Sequence, residues 1–282
     1  AARPRSSQLR ARAHVARAVA KGDFNTRAEP VNNAPAELVQ FTEDFNAMML
    51  QLSRYERELR ASHVAMAHEL RSPLTAAVGR LQGMLDGVFT PEPRQLQMVM
   101  KQLLHLNRLI DELHLLSLAD AGQLNLSKTP LDLTELLRER IAWLKPQLAE
   151  AGFDITLTPD TPCRYVGDPF RLGQVFTILM ENALRYAFEG RRLDVMITPD
   201  TGGYSIAFLD LGPAVDDSFQ PVMFERFSRE ESSRARHSCG GGLGVSIARA
   251  ICEAHGGRIG AEKNMHGGLT VTVSLSAPAT VQ

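Results

Sequence analysis

Apolar residues at Met66, Leu70, Leu74, Val78, Leu81, Leu85 and Val88 recur at steps of four and three, which places them on one stripe of a helix. A second run, Leu96, Val99, Leu103, Leu106, Ile110 and Leu113, alternates steps of three and four. That is a heptad seam, suited to left-handed bundle packing. Together they predict a long helical hairpin over residues 54–124. Two helices alone cannot cover both seams, so a four-helix bundle made by a homodimer is expected. Residues 1–53 predict two further helices. The first carries Leu9, Val15 and Val19 and stops at Lys21-Gly22-Asp23. After a linker with Pro30, Asn32, Asn33 and Pro35, the second carries Leu38, Phe41, Phe45, Met48, Met49 and Leu52.

Beyond residue 130 the period changes from helical to alternating. Phe153, Ile155, Leu157; Leu193, Val195, Ile197; Ile206, Phe208; and Leu269, Val271, Val273, Leu275 predict strands. Helices are predicted between them at 133–148, 169–186 and 244–255. The result is an α+β chain whose last part, 130–282, is a mixed sheet with helices on one face. Residues 116–131, with Gly122 and Pro130, form the expected hinge. Trp143 is assigned to the core.

Composition narrows the classes. A formal net charge of −1 over 282 residues leaves no electrostatic footprint for nucleic acid. The three cysteines show no metal-ligand spacing and read as reduced thiols. No apolar run reaches the roughly 18 residues that a bilayer span needs. Arg3, Arg5, Arg10, Arg12 and Arg17 arrive without an acidic residue among them. They fit either a cytoplasmic juxtamembrane segment or a solvated basic helix. A chain opening on Ala1-Ala2-Arg3-Pro4 reads as part of a longer protein.

The densest chemistry begins at Ala67-His68-Glu69-Leu70-Arg71-Ser72-Pro73-Leu74. His68 stands two positions before Leu70, roughly 200° around the helix, so it points away from the apolar stripe. Pro73 cannot donate to the carbonyl of Glu69, which predicts a bend just after His68. The plain alternative is a surface histidine on an ordinary helix. Four further motifs follow in order. Asn182, Arg185 and Tyr186, at i, i+3 and i+4, share a helix face. They offer an amide oxygen for a hard cation, a cation for phosphate and a ring for stacking. Asp210-Leu211-Gly212 ends a strand, where a carboxylate can accept a hydrogen bond and a glycine lets a ligand approach. Phe224-Glu225-Arg226-Phe227 precedes a polar, aperiodic stretch, 228–239, that reads as a weakly held lid. Gly240-Gly241-Gly242-Leu243-Gly244 leads into a helix whose start favours phosphate. Each of these could be ordinary structure by itself.

Taken in this order the five motifs resemble the histidine box, N box, first glycine box, F box and second glycine box of the sensor histidine kinases of two-component systems. Residues 1–53, with Pro4, Gly22-Asp23-Phe24, Glu37-Leu38 and Phe45-Asn46-Ala47-Met48, resemble a HAMP linker. The resemblance implies a dimerisation and histidine phosphotransfer domain over 54–124 and a GHKL-type ATP-binding domain, an α/β sandwich, over 130–282. It implies ATP and Mg2+, with Asn182 as the magnesium ligand. Adenine would lie against Asp210, Gly212 and Tyr186, and phosphates against Arg185, Arg226, Gly240, Gly242, Leu243 and Gly244. His68 would take the phosphoryl group, Glu69 would fix the imidazole tautomer, and Ser72 would help position water for dephosphorylating the partner. That partner would be a cognate response regulator, and the parent protein would be anchored in the inner membrane upstream of residue 1, with this portion cytoplasmic.

Two residues depart from the family pattern. Ile178 stands where another asparagine is usual, and Ala214 where a second glycine is usual. A GHKL-type ATPase would instead need a glutamate at 178 and would leave the histidine box without a role, whereas the changes at Ile178 and Ala214 keep a nucleotide-binding dimeric scaffold open as an alternative. His63 lacks the Glu69 and Pro73 context. His105 and His114 are assigned to an outer helix face, and His255 to a helix end as a cation.

Overall fold

The computed structural model describes residues 26–28, 36–187, 190–213, 220–228 and 242–276. The predicted first helix, the arginine cluster, Ala214, Gly240 and all of the predicted lid except Ser228 lie outside the described residues. In chain order the elements are α1 (Ala36–Leu85), α2 (Pro93–Asp120), β1 (Thr129–Asp132), α3 (Leu133–Ala151), β2 (Asp154–Thr158), β3 (Arg164–Gly167), α4 (Pro169–Tyr186), β4 (Arg192–Asp200), β5 (Gly203–Asp210), α5 (Gly244–Ala254), β6 (Arg258–Lys263) and β7 (Leu269–Ser276). Among the described residues no helix is long and apolar enough to cross a membrane. The chain divides into two compact units, Ala1–His68 and Glu69–Gln282.

In the first unit the helix carries Phe41 and Phe45 stacked at 6.4 Å between ring centroids. Asn46 holds the preceding chain by two hydrogen bonds of 2.9 Å, accepting from the Ala28 N–H and donating to its carbonyl. The buried line is Thr42, Met49 and Ser53, whereas Phe41 and Met48 are exposed. The apolar stripe expected from the sequence is therefore only partly the buried one. No break in secondary structure separates residue 53 from 54, since α1 runs on through Pro73 to Leu85.

The second unit opens with the hairpin. Gly83 leaves room for the Phe89 ring, which a side chain at 83 would meet at 2.6 Å, and Arg80 reaches across to Met98 Sδ and Gln95. The hairpin buries Pro73 and Ala77 from α1 and Val99, Leu109, Leu115 and Leu116 from α2. Against the sequence expectation, Leu74, Val78, Leu81 and Leu85 stay 42–81% exposed, as do Leu96, Leu103 and Ile110 above 40%. The physical reason is the one the heptad arithmetic gave: one hairpin has too few helices to close both seams.

The rest is a five-stranded sheet of order β2-β4-β5-β7-β6 beside a two-stranded ribbon of β1 and β3. β2 runs parallel to β4, and the other neighbours are antiparallel. Leu193, Val195, Ile197, Ile206, Phe208, Val271 and Val273 meet the apolar faces of α3, α4 and α5 in one core, in which Phe176 and Phe208 rings lie 6.1 Å apart. The helix starts follow local chemistry. Asp132 and Asp168 cap α3 and α4 through their carboxylates, and Pro169 sits in the first turn of α4. Gly152, at φ 60°, ends α3. Trp143, expected in the core, is 58% exposed, because the buried stripe of α3 is Leu133, Leu136, Leu137, Leu144 and Leu148.

Candidate nucleotide and phosphoacceptor site

Asp210 is the last residue of β5, and three close contacts fix it. Its Oδ1 accepts the N–H groups of Gly212 and Leu269, each at 3.0 Å. Its carbonyl accepts the Asn264 side-chain amide at 2.7 Å, which docks the β6–β7 turn on the strand end. A Cβ on Gly268 would lie 2.4 Å from that carbonyl, so only glycine fits there. Among the described residues Oδ2 takes no hydrogen bond, which leaves one carboxylate oxygen for a ligand donor. Burial pushes the Asp210 carboxyl up from its ordinary value, and the two N–H bonds only partly oppose this.

Gly212 joins this strand end to α4. A Cβ there would stand 2.8 Å from the Cα and Cβ of Ala187, the residue that ends α4. The last turns of α4 bring Asn182, Arg185 and Tyr186 to this end of the sheet. Asn182 and Tyr186 are half-buried and Arg185 is exposed. Among the described residues none of the three makes a side-chain hydrogen bond or ion pair, so each is open to a ligand.

One turn earlier on α4, Ile178 packs against Gly244, with its Cγ2 3.2 Å from where a Cβ on that glycine would sit. The start of α5 is thereby laid against the asparagine helix. Among the described residues no side chain caps α5, and the first amides of a helix suit anionic oxygens. Gly242 adopts φ 67°, a left-handed conformation that favours glycine, and packs on the backbone of Phe227. The Phe227 N–H donates to the Gly242 carbonyl at 2.9 Å. Phe224 and Phe227 pack on the core as anchors. Leu243 is 1% exposed, so it can meet a ligand only through its backbone.

Arg226 departs from expectation. Its Nη2 lies 2.5 Å from both carboxylate oxygens of Asp120, at the end of α2. Nothing in the sequence spacing marks Asp120 as its partner, 106 residues away. A second neighbour that sequence reasoning missed is Glu112 of α2. Burial pushes its carboxyl up, Arg108 opposes this, and Glu181, beside Asn182, adds to it.

His255 is not the helix-end cation read from the sequence. It is 5% exposed. Its Nδ1 lies 2.8 Å from the Ile251 carbonyl, and its Nε2 accepts the Asp168 N–H at 3.0 Å. A ring nitrogen that accepts a backbone N–H carries no proton, so the imidazole is neutral with the proton on Nδ1. Asp168 in turn accepts from Ser127 N and Arg171 N. One buried imidazole thus ties the end of α5 to the start of α4.

His68 is exposed on α1, while Glu69 is half-buried and Ser72 exposed. His68 closes the first unit; Glu69 and Ser72 belong to the second. Among the described residues no group of three or more His, Cys, Asp or Glu side chains could hold a metal. A magnesium ion that takes most of its ligands from phosphate and water needs only one or two protein oxygens. Asn182 fits that demand.

Residues 65–122 match the family model "His Kinase A (phospho-acceptor) domain". Residues 167–279 match "Histidine kinase-, DNA gyrase B-, and HSP90-like ATPase". Signal transduction histidine-protein kinase BaeS of Escherichia coli (strain K12) is 35% identical over 264 residues, covering 94% of this chain and 56% of that protein. Sensor protein VanS of Enterococcus faecium is 28% identical over 239 residues, 81% of this chain and 62% of that protein. The chain therefore spans less than two thirds of either relative. The structure of the Acinetobacter baumannii histidine kinase AdeS superposes with a TM-score of 0.63 at 28% identity, over 75% of this chain and 98% of that one.

Proposed function

The chain belongs to the sensor histidine kinases, and on that premise we propose that it is an ATP-dependent autokinase that phosphorylates His68 and passes the phosphoryl group to an aspartate of a response regulator. The observation that carries this reading is the set of unused groups converging at one end of the sheet. Among the described residues they are the Oδ2 of Asp210, Asn182, Arg185 and Tyr186, none of them hydrogen-bonded, and the start of α5, which no side chain caps. They match the parts of a nucleotide in order: a donor on the base, a ring face and an anionic chain.

In this reading Asp210 accepts from the adenine amino group, and Gly212 and Gly268 let the base approach. Arg185 and the first amides of α5 hold the phosphates. Asn182 would hold a magnesium ion, which would neutralise phosphate charge. One nitrogen of His68 attacks the γ-phosphorus in line, forming an N–P bond as the P–O bond to the leaving ADP breaks. The other ring nitrogen donates to Glu69, which fixes the tautomer and offsets the positive charge that grows on the ring. Ser72 retains a hydroxyl able to position the water that hydrolyses the phosphoryl group from the response regulator. The chain acts as a homodimer through the exposed seams of α1 and α2. We assign residues 1–53 to a HAMP-type linker and 54–124 to the dimerisation and phosphotransfer domain. Residues 130–282 form the catalytic domain of a protein anchored in the inner membrane.

A GHKL-type ATPase is disfavoured because Ile178, packed on Gly244, cannot activate water. Incubation with γ-labelled ATP and magnesium separates the readings. A kinase yields acid-labile label on the protein, an ATPase yields free phosphate alone, and a scaffold yields neither. His68→Gln removes the label while binding of an ATP analogue persists. Label retained on that variant refutes the assignment of His68.

A further inference from the structure

The resemblance to sensor histidine kinases sets Arg226 against phosphates, yet in this structure it is paired with Asp120, a residue with no assigned role. Two features make that contact more than an incidental surface pair. First, α2 ends without a basic residue in its last turn, so the Asp120 carboxylate adds to the negative end of the helix dipole. Arg226 is the cation that offsets both. Second, the backbone just after Arg226 is geared to the glycine segment. Phe227 adopts φ 61° and donates its N–H to Gly242, and Gly242 has no room for a side chain against the Phe227 backbone. Where Arg226 points is therefore tied to where the start of the phosphate-binding helix lies.

The pair also suits release. The Arg226 and Asp120 side chains are 29% and 60% exposed. An ion pair so open to water is weak and screened by salt, and a triphosphate with its magnesium can outbid it. The same helix presents Glu112 towards Glu181, a like-charge approach that opposes the docked arrangement, while Leu109, Leu113 and Leu116 pack with the core. The docked state is thus held by apolar contact plus one exchangeable ion pair.

Resting on the kinase reading, we propose that Asp120 is an internal competitor of the nucleotide: its carboxylate holds Arg226 away from the phosphates, so Asp120–Arg226 pairing and triphosphate binding exclude one another. Loading ATP then frees the end of α2 from the catalytic domain. A pair closed in roughly two of every three molecules raises the apparent dissociation constant about threefold, because only the open fraction binds.

The test uses the whole 282-residue chain and a non-hydrolysable ATP analogue with magnesium. Asp120→Asn is expected to bind the analogue about threefold tighter than wild type, as loss of a half-exposed ion pair implies. Asp120→Glu, which restores the carboxylate, is expected to bind as wild type does. Hydrogen exchange over the last turn of α2 should rise when the analogue is added to wild type and should already be high in Asp120→Asn. In autophosphorylation Asp120→Asn should lower KM for ATP and leave kcat unchanged. Equal or weaker binding by Asp120→Asn, or exchange that the analogue does not alter, overturns the proposal. Neither readout requires phosphoryl transfer. If wild type binds the analogue but forms no phosphohistidine, the kinase reading falls and the competition is still decided. If phosphohistidine forms but Asp120→Asn binds no tighter, the competition alone falls.

Discussion

His255 shows how far a residue's chemistry depends on what surrounds it. Burial holds its imidazole below the ordinary histidine value of 6.5; the Ile251 carbonyl opposes this, Lys128 reinforces it and Asp168 opposes it. As pH falls through 6.5 the unfolded chain takes up a proton that the folded chain still refuses, so the folded state loses stability. Above 6.5 both forms are neutral and the contribution is constant. Denaturant melts should therefore show wild type losing stability as pH drops below 6.5. His255→Gln removes one of two buried hydrogen bonds and should cost about 1–3 kcal/mol at pH 8. Its deficit relative to wild type should shrink as pH falls; a deficit that stays constant from pH 8 to 5 contradicts the neutral assignment. Sequence pattern misread this residue because a histidine before Gly256-Gly257 looks like a helix end open to solvent, and only the packing of α4 against α5 shows its second nitrogen engaged. Asp210 was readable because an aspartate at a strand end followed by glycine carries its own geometry. Its closure by Asn264 and Gly268 comes from a turn more than 50 residues later, beyond any local pattern.

Among elements, α4 was legible from the apolar face of Leu172, Val175, Phe176 and Leu179, and its bounds in the structure, Pro169–Tyr186, are those expected. The strands β1, β3 and β6 escaped notice. β6, for instance, offers only Ile259 and Ala261 as alternating apolar positions, too little signal without the β7 partner beside it. The hairpin helices were found, but their burial was not, because the seams are written for more helices than one chain supplies. The exposed row of Leu74, Val78 and Leu81 gives this point a direct check. Val78→Glu puts a charge into the centre of the expected bundle, which burial does not tolerate without a partner. Sedimentation at micromolar concentration should show wild type as a dimer and Val78→Glu shifted to monomer with its helical content retained. A wild-type monomer, or a variant that dimerises equally well, rules out this seam as the interface.

At the scale of the whole molecule, the proposed acceptor His68 precedes a sheet domain in which, among the described residues, Asn182, Arg185 and Tyr186 make no side-chain hydrogen bond. The order of these parts was legible in the sequence, since each motif carries its chemistry within a few residues. The pairing of Arg226 with Asp120 was not, since it links elements far apart in the chain. Phosphoryl transfer from ATP to one imidazole is decided by mapping the phosphorylated residue. The chain is incubated with ATP and magnesium, digested at neutral to alkaline pH to preserve phosphoramidate, and sequenced by mass spectrometry. Kinase activity at His68 predicts a single acid-labile phosphoryl group on that residue, absent when magnesium is chelated. Phosphate on His63 or on a hydroxyl side chain, or none on a chain that binds ATP, contradicts it.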